Sequence, residues 1–410
     1  MTTTASVLPD MPLTPFIRDI LGRIDASAGS VADAVSLPPE CYTSSEWYEF
    51  ERRAIFDREW LALGHHSFIP NPGDYFSITI NEEPLLVVRG KDGEIRVLSA
   101  VCRHRGHVLG QAAGNADSFT CPFHGWTYAL DGALLAAPEM NGTLPIEDLR
   151  RTTCLPSLRT EIWNGFIFVN FDGAAEPLAP RLKVLSEQVR NHHMADLVAP
   201  PTVDWKGNPW NWKFMQENAL EPYHTHYLHN GPHDFAPSRL ASFFEWDDRD
   251  DGAIFHPTGF LHVDGGFNIS TRCLMPAIPT LTEAERRRVM FAAVMPNLFF
   301  GAQPDCVFFY LILPESAGAI TLRVGLLTTI ENLSLPTAPL LLKGTVDGIS
   351  VYNDQDVVAN TMTHQGLKSR FAPRTRFAPK EKTLAQINTW LVKRYKTYAE
   401  SLSPLSMAAE

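Results

Sequence analysis

Two short segments, Cys102-Arg-His104 and Cys121-Pro-Phe-His124, each place one thiol and one imidazole within a few residues, with sixteen residues between them. Loops of this kind can hold a tetrahedral zinc ion. They can equally hold a two-iron cluster in which one iron takes both sulfurs and the other both nitrogens. Structural zinc loops usually pair cysteines within one knuckle, whereas here each loop mixes the two ligand types. The other cysteines, Cys41, Cys154, Cys273 and Cys306, have no histidine at ligand spacing and read as small buried apolar residues.

The chain around these loops, Tyr75 to Phe171, reads as short strands with turn punctuation. Tyr75 to Ile80 alternates, Leu85 to Arg89 is apolar, Gly90-Lys-Asp-Gly93 marks a turn before Glu94 to Leu98, and an aromatic strand from Trp163 to Phe171 closes the unit. The stretch Gly173 to Pro180 has small residues and two prolines without periodicity, as a domain boundary should. Beyond it, Trp212, Met215, Ala219 and Tyr223 recur at helical spacing, strand-like runs follow at Phe291 to Val294, Val307 to Leu313 and Thr321 to Leu327, and Lys380 to Ser401 looks helical. The expected organisation is α+β: an arm over 1–60 with a helix near Ser45 to Leu61, an all-β domain over 61–173, and a mixed domain over 174–410.

With 410 residues, 45% of them hydrophobic, the chain can bury a core without staples. A net charge of −11 is the wrong sign for phosphate backbones or anionic membranes, so nucleic acid is not an expected partner. Six cysteines are too few for a disulfide scaffold, the amino terminus does not read as a secretion or import signal, and Val289 to Leu313 is broken by Pro296, Asn297, Pro304 and Asp305. A cytoplasmic protein with no membrane span is expected.

Cys102-Arg-His-Arg-Gly106 and Cys121-Pro-Phe-His-Gly-Trp-Thr-Tyr128 resemble the cluster-binding loops of the Rieske domain in the large (alpha) subunit of the ring-hydroxylating oxygenases. The resemblance implies a [2Fe-2S] cluster with Cys102 and Cys121 on one iron and His104 and His124 on the other, fed by an NAD(P)H-dependent reductase or a ferredoxin.

A second constellation runs from Asn211 to His233. On helix geometry His224 and His229 make a poor pair, since five residues place them roughly 140° apart. His229 and His233 would suit a helix, but Gly231-Pro232 breaks it, and Pro222 predicts a kink or bulge just before His224. The segment resembles the iron motif of the same oxygenases, N-W-K then E-N-x-x-(D/E)-x-Y-H-x4-H, at Asn211, Trp212, Lys213, Glu217, Asn218, Glu221, Tyr223, His224 and His229. That implies His224 and His229 as ligands of a mononuclear Fe(II), with His226 and His233 outside the motif as supporting or solvent-facing residues.

A facial triad needs a carboxylate as third ligand and leaves the opposite face open for dioxygen. The stretch His364-Gln-Gly-Leu-Lys-Ser369 resembles the family's closing Q-x-G-L-x-S, with His in place of Gln, and on that register Asp356 is the ligand and Asp354 the alternative. Asp247 to Asp251 reads as a solvated acidic loop. Glu221 lies three residues before His224 and, on a helix, would accept its imidazole N–H. In the family this position bridges the iron of one subunit to a Rieske histidine of the next, here His124. Most members carry Asp there, and Glu resembles the subgroup that oxidises quaternary ammonium compounds.

The whole implies an all-β Rieske domain plus a catalytic domain with an antiparallel sheet flanked by helices. It implies the terminal component of a mono- or dioxygenase, in which Glu221 and Asn218 act beside the iron and Phe214, Met215, Asn218, Leu228 and residues between Phe291 and Tyr310 line the pocket. The substrate would be an aromatic acid or a quaternary ammonium compound, aromatic hydrocarbon catabolism the setting, and a homotrimer, with or without a small beta subunit, the assembly. The competing reading is a Rieske electron carrier without oxygenase chemistry, which would have no use for the His224, His229 and Asp356 set.

Overall fold

The computed structural model describes residues 7–110, 112–245 and 251–402. It divides into two compact units, Asp57–Glu176, and Pro9–Phe56 together with the chain from Pro177 onward.

The first unit is β-structured. Strands β1 (Leu61–His65), β2 (Asp74–Ile80), β3 (Glu83–Arg89), β4 (Ile95–Ser99), β5 (Ala113–Asn115), β9 (Ser157–Trp163) and β10 (Phe166–Asn170) pair antiparallel in the order β1-β10-β9-β4-β3-β2-β5. A smaller sheet holds β6 (Ser118–Thr120), β7 (Thr127–Ala129) and β8 (Leu134–Ala136). Phe76, Ile78 and Ile80 alternate into the core, whereas Leu85 to Val88 are buried on both faces, which explains why β3 reads as a continuous apolar run.

The strand expected over Trp163 to Phe171 is in fact the second half of a hairpin. Asn164 and Gly165 take φ of 48° and 82°, and Trp163 pairs with Phe166 across them. Asn-Gly suits such a turn because both central residues need positive φ. A Cβ at Gly165 would lie 2.1 Å from His65 Nε2. Gly165→Ala should therefore combine backbone strain with a clash and cost about 2–4 kcal/mol, measurable as a lower urea midpoint.

The second unit is built on one antiparallel sheet, ordered β11 (Val203–Asn208), β16 (Ala319–Leu327), β15 (Val307–Ser316), β14 (Leu298–Ala302), β13 (Arg288–Val294) and β12 (Ala253–Gly259). Helices Lys213–Leu220, Ala338–Leu367 and Lys382–Ser401 flank it. The arm belongs to this unit. Its helix Ser45–Glu51 continues as a π-helical turn over Arg52–Phe56 and stops short of Leu61, which opens β1 instead. Glu51 pairs with Lys213 at 2.6 Å, both side chains fully buried, and accepts hydrogen bonds from Trp212 Nε1 (3.1 Å) and the Tyr395 hydroxyl.

Three expectations need correction. Asp251 is buried and paired with Arg181 (2.7 Å) and Arg394 (2.5 Å), not solvated, while 247–250 lie outside the described residues. Cys154 and Cys273 are half-exposed, unlike buried Cys41 and Cys306. The helix expected through Tyr223 ends at Leu220, because Pro222 has no N–H to extend it and Glu221 is extended. Among the described residues no helix is long and apolar enough to cross a membrane.

Candidate metal centres

In the first unit the two Cys/His loops are built alike. Cys102 N–H donates to His107 O (2.9 Å) and Gly106 N–H returns to Cys102 O (3.0 Å). Cys121 N–H donates to Trp126 O (2.8 Å) and Gly125 N–H returns to Cys121 O (2.9 Å). Gly106 and Gly125, with φ of 77° and 72°, supply the left-handed residue that closes each loop. The bridge Val101–Val108 ties the base of the first loop and the β6–β7 hairpin that of the second.

Both cysteines are buried, and the rings of His104 and His124 meet at 4.6 Å. Trp126 stacks flat on His104 at 4.8 Å, fixing its plane. The Tyr128 hydroxyl sits 3.4 Å from Cys102 Sγ and accepts the Arg103 N–H at 3.0 Å. Desolvation and the neighbouring His104 and Arg105 lower the His124 pKa. His104 Nδ1 is buried without a hydrogen-bond partner, although a buried polar nitrogen normally has one. Two thiols and two imidazoles, one with a buried ring nitrogen left without a hydrogen-bond partner, fit a [2Fe-2S] group.

The second centre arises where the helix Lys213–Leu220 breaks. A short helix, Thr225–Leu228, follows the break, with His224 and His229 at its two ends. The displaced geometry brings the rings to 5.0 Å and their Nε2 atoms to 3.2 Å. Asp356 enters from the long helix Ala338–Leu367, its Oδ1 lying 3.2 Å from His229 Nε2 and 3.7 Å from His224 Nε2. All three ligand atoms lie within 4.8 Å of one another.

The outer nitrogens fix the tautomers. His224 Nδ1 faces Glu221 Oε1 at 2.6 Å and His229 Nδ1 faces Gln355 Oε1 at 2.7 Å. Both oxygens accept, so Nδ1 carries the proton in each ring and Nε2 presents a lone pair. Two imidazole lone pairs and a carboxylate directed at one point repel unless a cation lies among them. The donor set fits a divalent metal of the two-histidine, one-carboxylate type.

Glu221 reaches His224 from a turn and not from a shared helix face. Its other oxygen accepts the N–H groups of Tyr223 (2.5 Å) and His224 (3.0 Å). This carboxylate and that of Asp356 raise the His224 pKa against the lowering effect of burial. Asn218 Nδ2 donates to Asp356 Oδ1 at 3.2 Å, and Asp354 is exposed.

A cavity of about 80 Å³ opens beside the three donors. Met215, Asn218 and the strand residues Phe291, Phe299, Phe308 and Tyr310 line it as expected, but Phe214 and Leu228 do not. Phe214 instead stacks on Tyr42 at 5.0 Å and meets His364 edge-on at 6.1 Å. His226 is exposed, whereas His233 is buried in the lining, stacked parallel on His229 at 5.9 Å, its pKa pushed down to about 4 by desolvation and the neighbouring histidines.

Sequence reasoning missed Gln355, Tyr352 and His256. Tyr352 lies four residues before Asp356 and so shares its helix face, a usable signal; its hydroxyl donates to Pro232 O at 2.8 Å. His256, on β12, and Gln355 carried no motif.

A predominantly β unit with two mixed Cys/His loops and a second unit presenting two histidines and an aspartate beside an aromatic cavity define a Rieske-type non-haem iron protein. The chain matches the ring hydroxylating alpha subunit (catalytic domain) family over residues 187–397 and the Rieske [2Fe-2S] domain over 59–156, and it belongs to the ring-hydroxylating alpha-subunit family. The matched domains are those that hold a [2Fe-2S] cluster and a mononuclear iron used with dioxygen.

It is 39% identical over 213 residues to the biphenyl 2,3-dioxygenase subunit alpha of Rhodococcus jostii (strain RHA1), covering 50% of this chain and 45% of that one. It is 32% identical over 206 residues to the carnitine monooxygenase oxygenase subunit of Acinetobacter pittii (strain PHEA-2), covering 48% and 53%. The matched stretch thus spans about half the length of these relatives. In fold the chain resembles naphthalene 1,2-dioxygenase from Rhodococcus sp. (TM-score 0.75, 20% identity, 96% of this chain and 100% of that). It also resembles a quaternary ammonium Rieske monooxygenase (TM-score 0.74, 22% identity, 96% and 100%).

Proposed function

We propose that this chain is the terminal oxygenase component of a multicomponent Rieske system that oxidises a small, largely apolar organic substrate with dioxygen. The observation that carries the reading is the convergence of His224, His229 and Asp356 on one point at the wall of an aromatic cavity. A bound iron would supply dioxygen activation there, and the [2Fe-2S] group would supply electrons from a reductase or ferredoxin. The protein's own residues do the rest: Cys102, His104, Cys121 and His124 hold the cluster, and Glu221 and Gln355 keep the ligand rings oriented through their Nδ1 protons. The aromatic side chains exclude water from the cavity.

Among the described residues lining that cavity none is Lys or Arg, so a substrate carboxylate would find no counter-ion. This favours a neutral aromatic compound over an aromatic acid. Phe267, Phe291, Phe308 and Tyr352 favour a second reading, a quaternary ammonium held by cation–π attraction. Oxygen uptake and product formation with a reconstituted reductase, screened over neutral aromatics, aromatic acids and quaternary amines, distinguishes the two. Absence of oxygen-dependent product with every class would refute the oxygenase reading.

We place electron entry in the unit spanning Asp57–Glu176, and transfer between subunits of a homotrimer working in the cytoplasm, with Glu221 as the bridge to a partner's cluster. Glu221→Gln keeps an acceptor for His224 Nδ1–H but removes the charge. With iron supplied in excess of any loss of affinity, both metal sites should stay loaded while single-turnover oxidation of the cluster slows by about 10–100-fold, the range typical of changing an outer partner of a ligand. An unchanged rate in stopped-flow absorbance would remove the bridging role.

A further inference from the structure

Three histidines of one short segment line the cavity, but only His224 and His229 converge with Asp356. The third, His233, is 8% exposed and has no part in that donor set. A turn carries it into the wall: Gly231 takes a φ of 91°, His233 N–H donates to His229 O at 3.1 Å, and Ala236 N–H returns to His233 O at 3.0 Å. The His233 ring thereby lies nearly parallel to that of His229, with centroids 5.9 Å apart.

The other neighbours of the ring are aromatic. Phe267 lies 5.4 Å away, Phe235 6.1 Å, and Tyr352 5.7 Å and edge-on. The Tyr352 hydroxyl already donates to Pro232 O at 2.8 Å, and His229 Nδ1 faces Gln355 Oε1 at 2.7 Å. The carbonyls of His233 and Ala236 face the ring without reaching hydrogen-bond geometry. Among the described residues His233 Nδ1 therefore has no hydrogen-bond partner, although the atom is buried.

A residue that only packs has no use for two ring nitrogens, and buried polar atoms normally have partners. A ligand entering the cavity is the remaining source of one. Neutral imidazole donates through one nitrogen and accepts through the other, and a hydroxyl also does both, so one hydroxyl suits either tautomer. A bare hydrocarbon offers neither function, and a tetraalkylammonium centre has no N–H and no lone pair. We propose that His233 is a specificity-determining residue and that the substrate carries a neutral hydroxyl, which hydrogen-bonds the His233 ring while its carbon skeleton lies against Phe267, Phe291 and Phe308. Because the His233 ring lies flat beside His229, a hydroxyl bound there holds the adjoining carbons next to the metal donors. This deepens, and rests on, the oxygenase reading above.

The test uses the full, iron-loaded chain and two compact probes, 2-butanol and 2-methylbutane, which differ only in a hydroxyl for a methyl. Their dissociation constants, measured by ligand-observed NMR for the parent and for His233→Phe, form a cycle in which the hydration of the probes cancels. In His233→Phe the ratio of the two constants should move at least about tenfold toward the alkane, the loss of one hydrogen bond to a buried group. A packing role would weaken both probes alike, so an unchanged ratio overturns the proposal. If His233→Phe does not fold, a crystal of the parent chain soaked with 2,2,2-trichloroethanol decides, since chlorine located by anomalous scattering marks one end and leaves the hydroxyl at the other. A hydroxyl oxygen about 2.7–3.2 Å from a His233 ring nitrogen is the expected result. A hydroxyl on Thr258 or His256, water alone on His233, or no bound probe overturns the proposal. Both readouts are taken without turnover. A chain that holds the hydroxyl on His233 but oxidises nothing refutes the oxygenase reading alone, and one that forms oxygen-dependent product with the ratio unchanged refutes the hydroxyl site alone.

Discussion

His224→Ala should strip the second unit of its metal and leave the first unit's cluster in place. Iron content is expected to fall from about three atoms per chain to about two, with the visible spectrum of the [2Fe-2S] group unchanged. Altering only an outer partner of a ligating histidine costs about 10–100-fold in metal affinity, so deleting the ligand itself should exceed that range. Oxygen-dependent product should vanish with the metal. His226→Ala is the matched control, since its side chain is exposed two positions away and is not among the three convergent donors. Iron retained at three atoms per chain in His224→Ala would show that the convergent lone pairs do not hold the ion.

The second large effect concerns stability. Lys213→Met removes the cation from a pair in which both side chains are fully buried, and leaves Glu51 with the neutral donors Trp212 Nε1 and the Tyr395 hydroxyl. Glu217 lies close by, its pKa pushed up to about 7 by burial despite the hydrogen bond from Tyr42 (2.7 Å) and the pull of Lys213. Two carboxylates would then share an apolar region without a counter-charge. Breaking a buried pair in this way costs about 3–5 kcal/mol. Adding Glu51→Gln, whose amide oxygen can accept from Trp212 Nε1 while its NH2 donates to the Tyr395 hydroxyl oxygen, should restore most of that loss. Urea unfolding of the single and double variants checks it, and a single variant as stable as the parent would refute the account.

Much of the β unit is legible because its strands obey simple rules. Tyr75 to Ile80 alternates and appears as β2, and the Gly90 to Gly93 turn precedes β4. The hairpin at Asn164-Gly165 was equally legible in principle, but the apolar run on its far side obscured the turn. In the second unit the helix carrying Asp356 gave little signal. Leu340, Val351, Val358 and Met362 are exposed on it, so its apolar residues do not mark one buried face.

The metal donors divide in the same way. His224 and His229 stand in one short segment, yet periodicity argued against them, because the break at Glu221 and Pro222 redirects both rings and no regular helix could. Asp356 had to be placed by the register of residues downstream. Asp354, two positions away and hence about 200° round the helix, projects to the other side. The buried partners of Glu51 were not legible, since a carboxylate in an arm of the chain carries no sign of the lysine it will meet.

The separation of Asp356 from the two histidines has a thermodynamic consequence. Asn218 and Asp356, 138 positions apart, already touch, and an ion held by His224, His229 and Asp356 would fasten the broken helix to the long one at that point. Any ligand that binds only the folded arrangement stabilises it by mass action. Metal occupancy and the docking of the long helix are therefore linked quantities. Since Ile349, Tyr352 and Asn353 of that helix also line the cavity beside the donors, metal occupancy and the integrity of that cavity depend on the same docking.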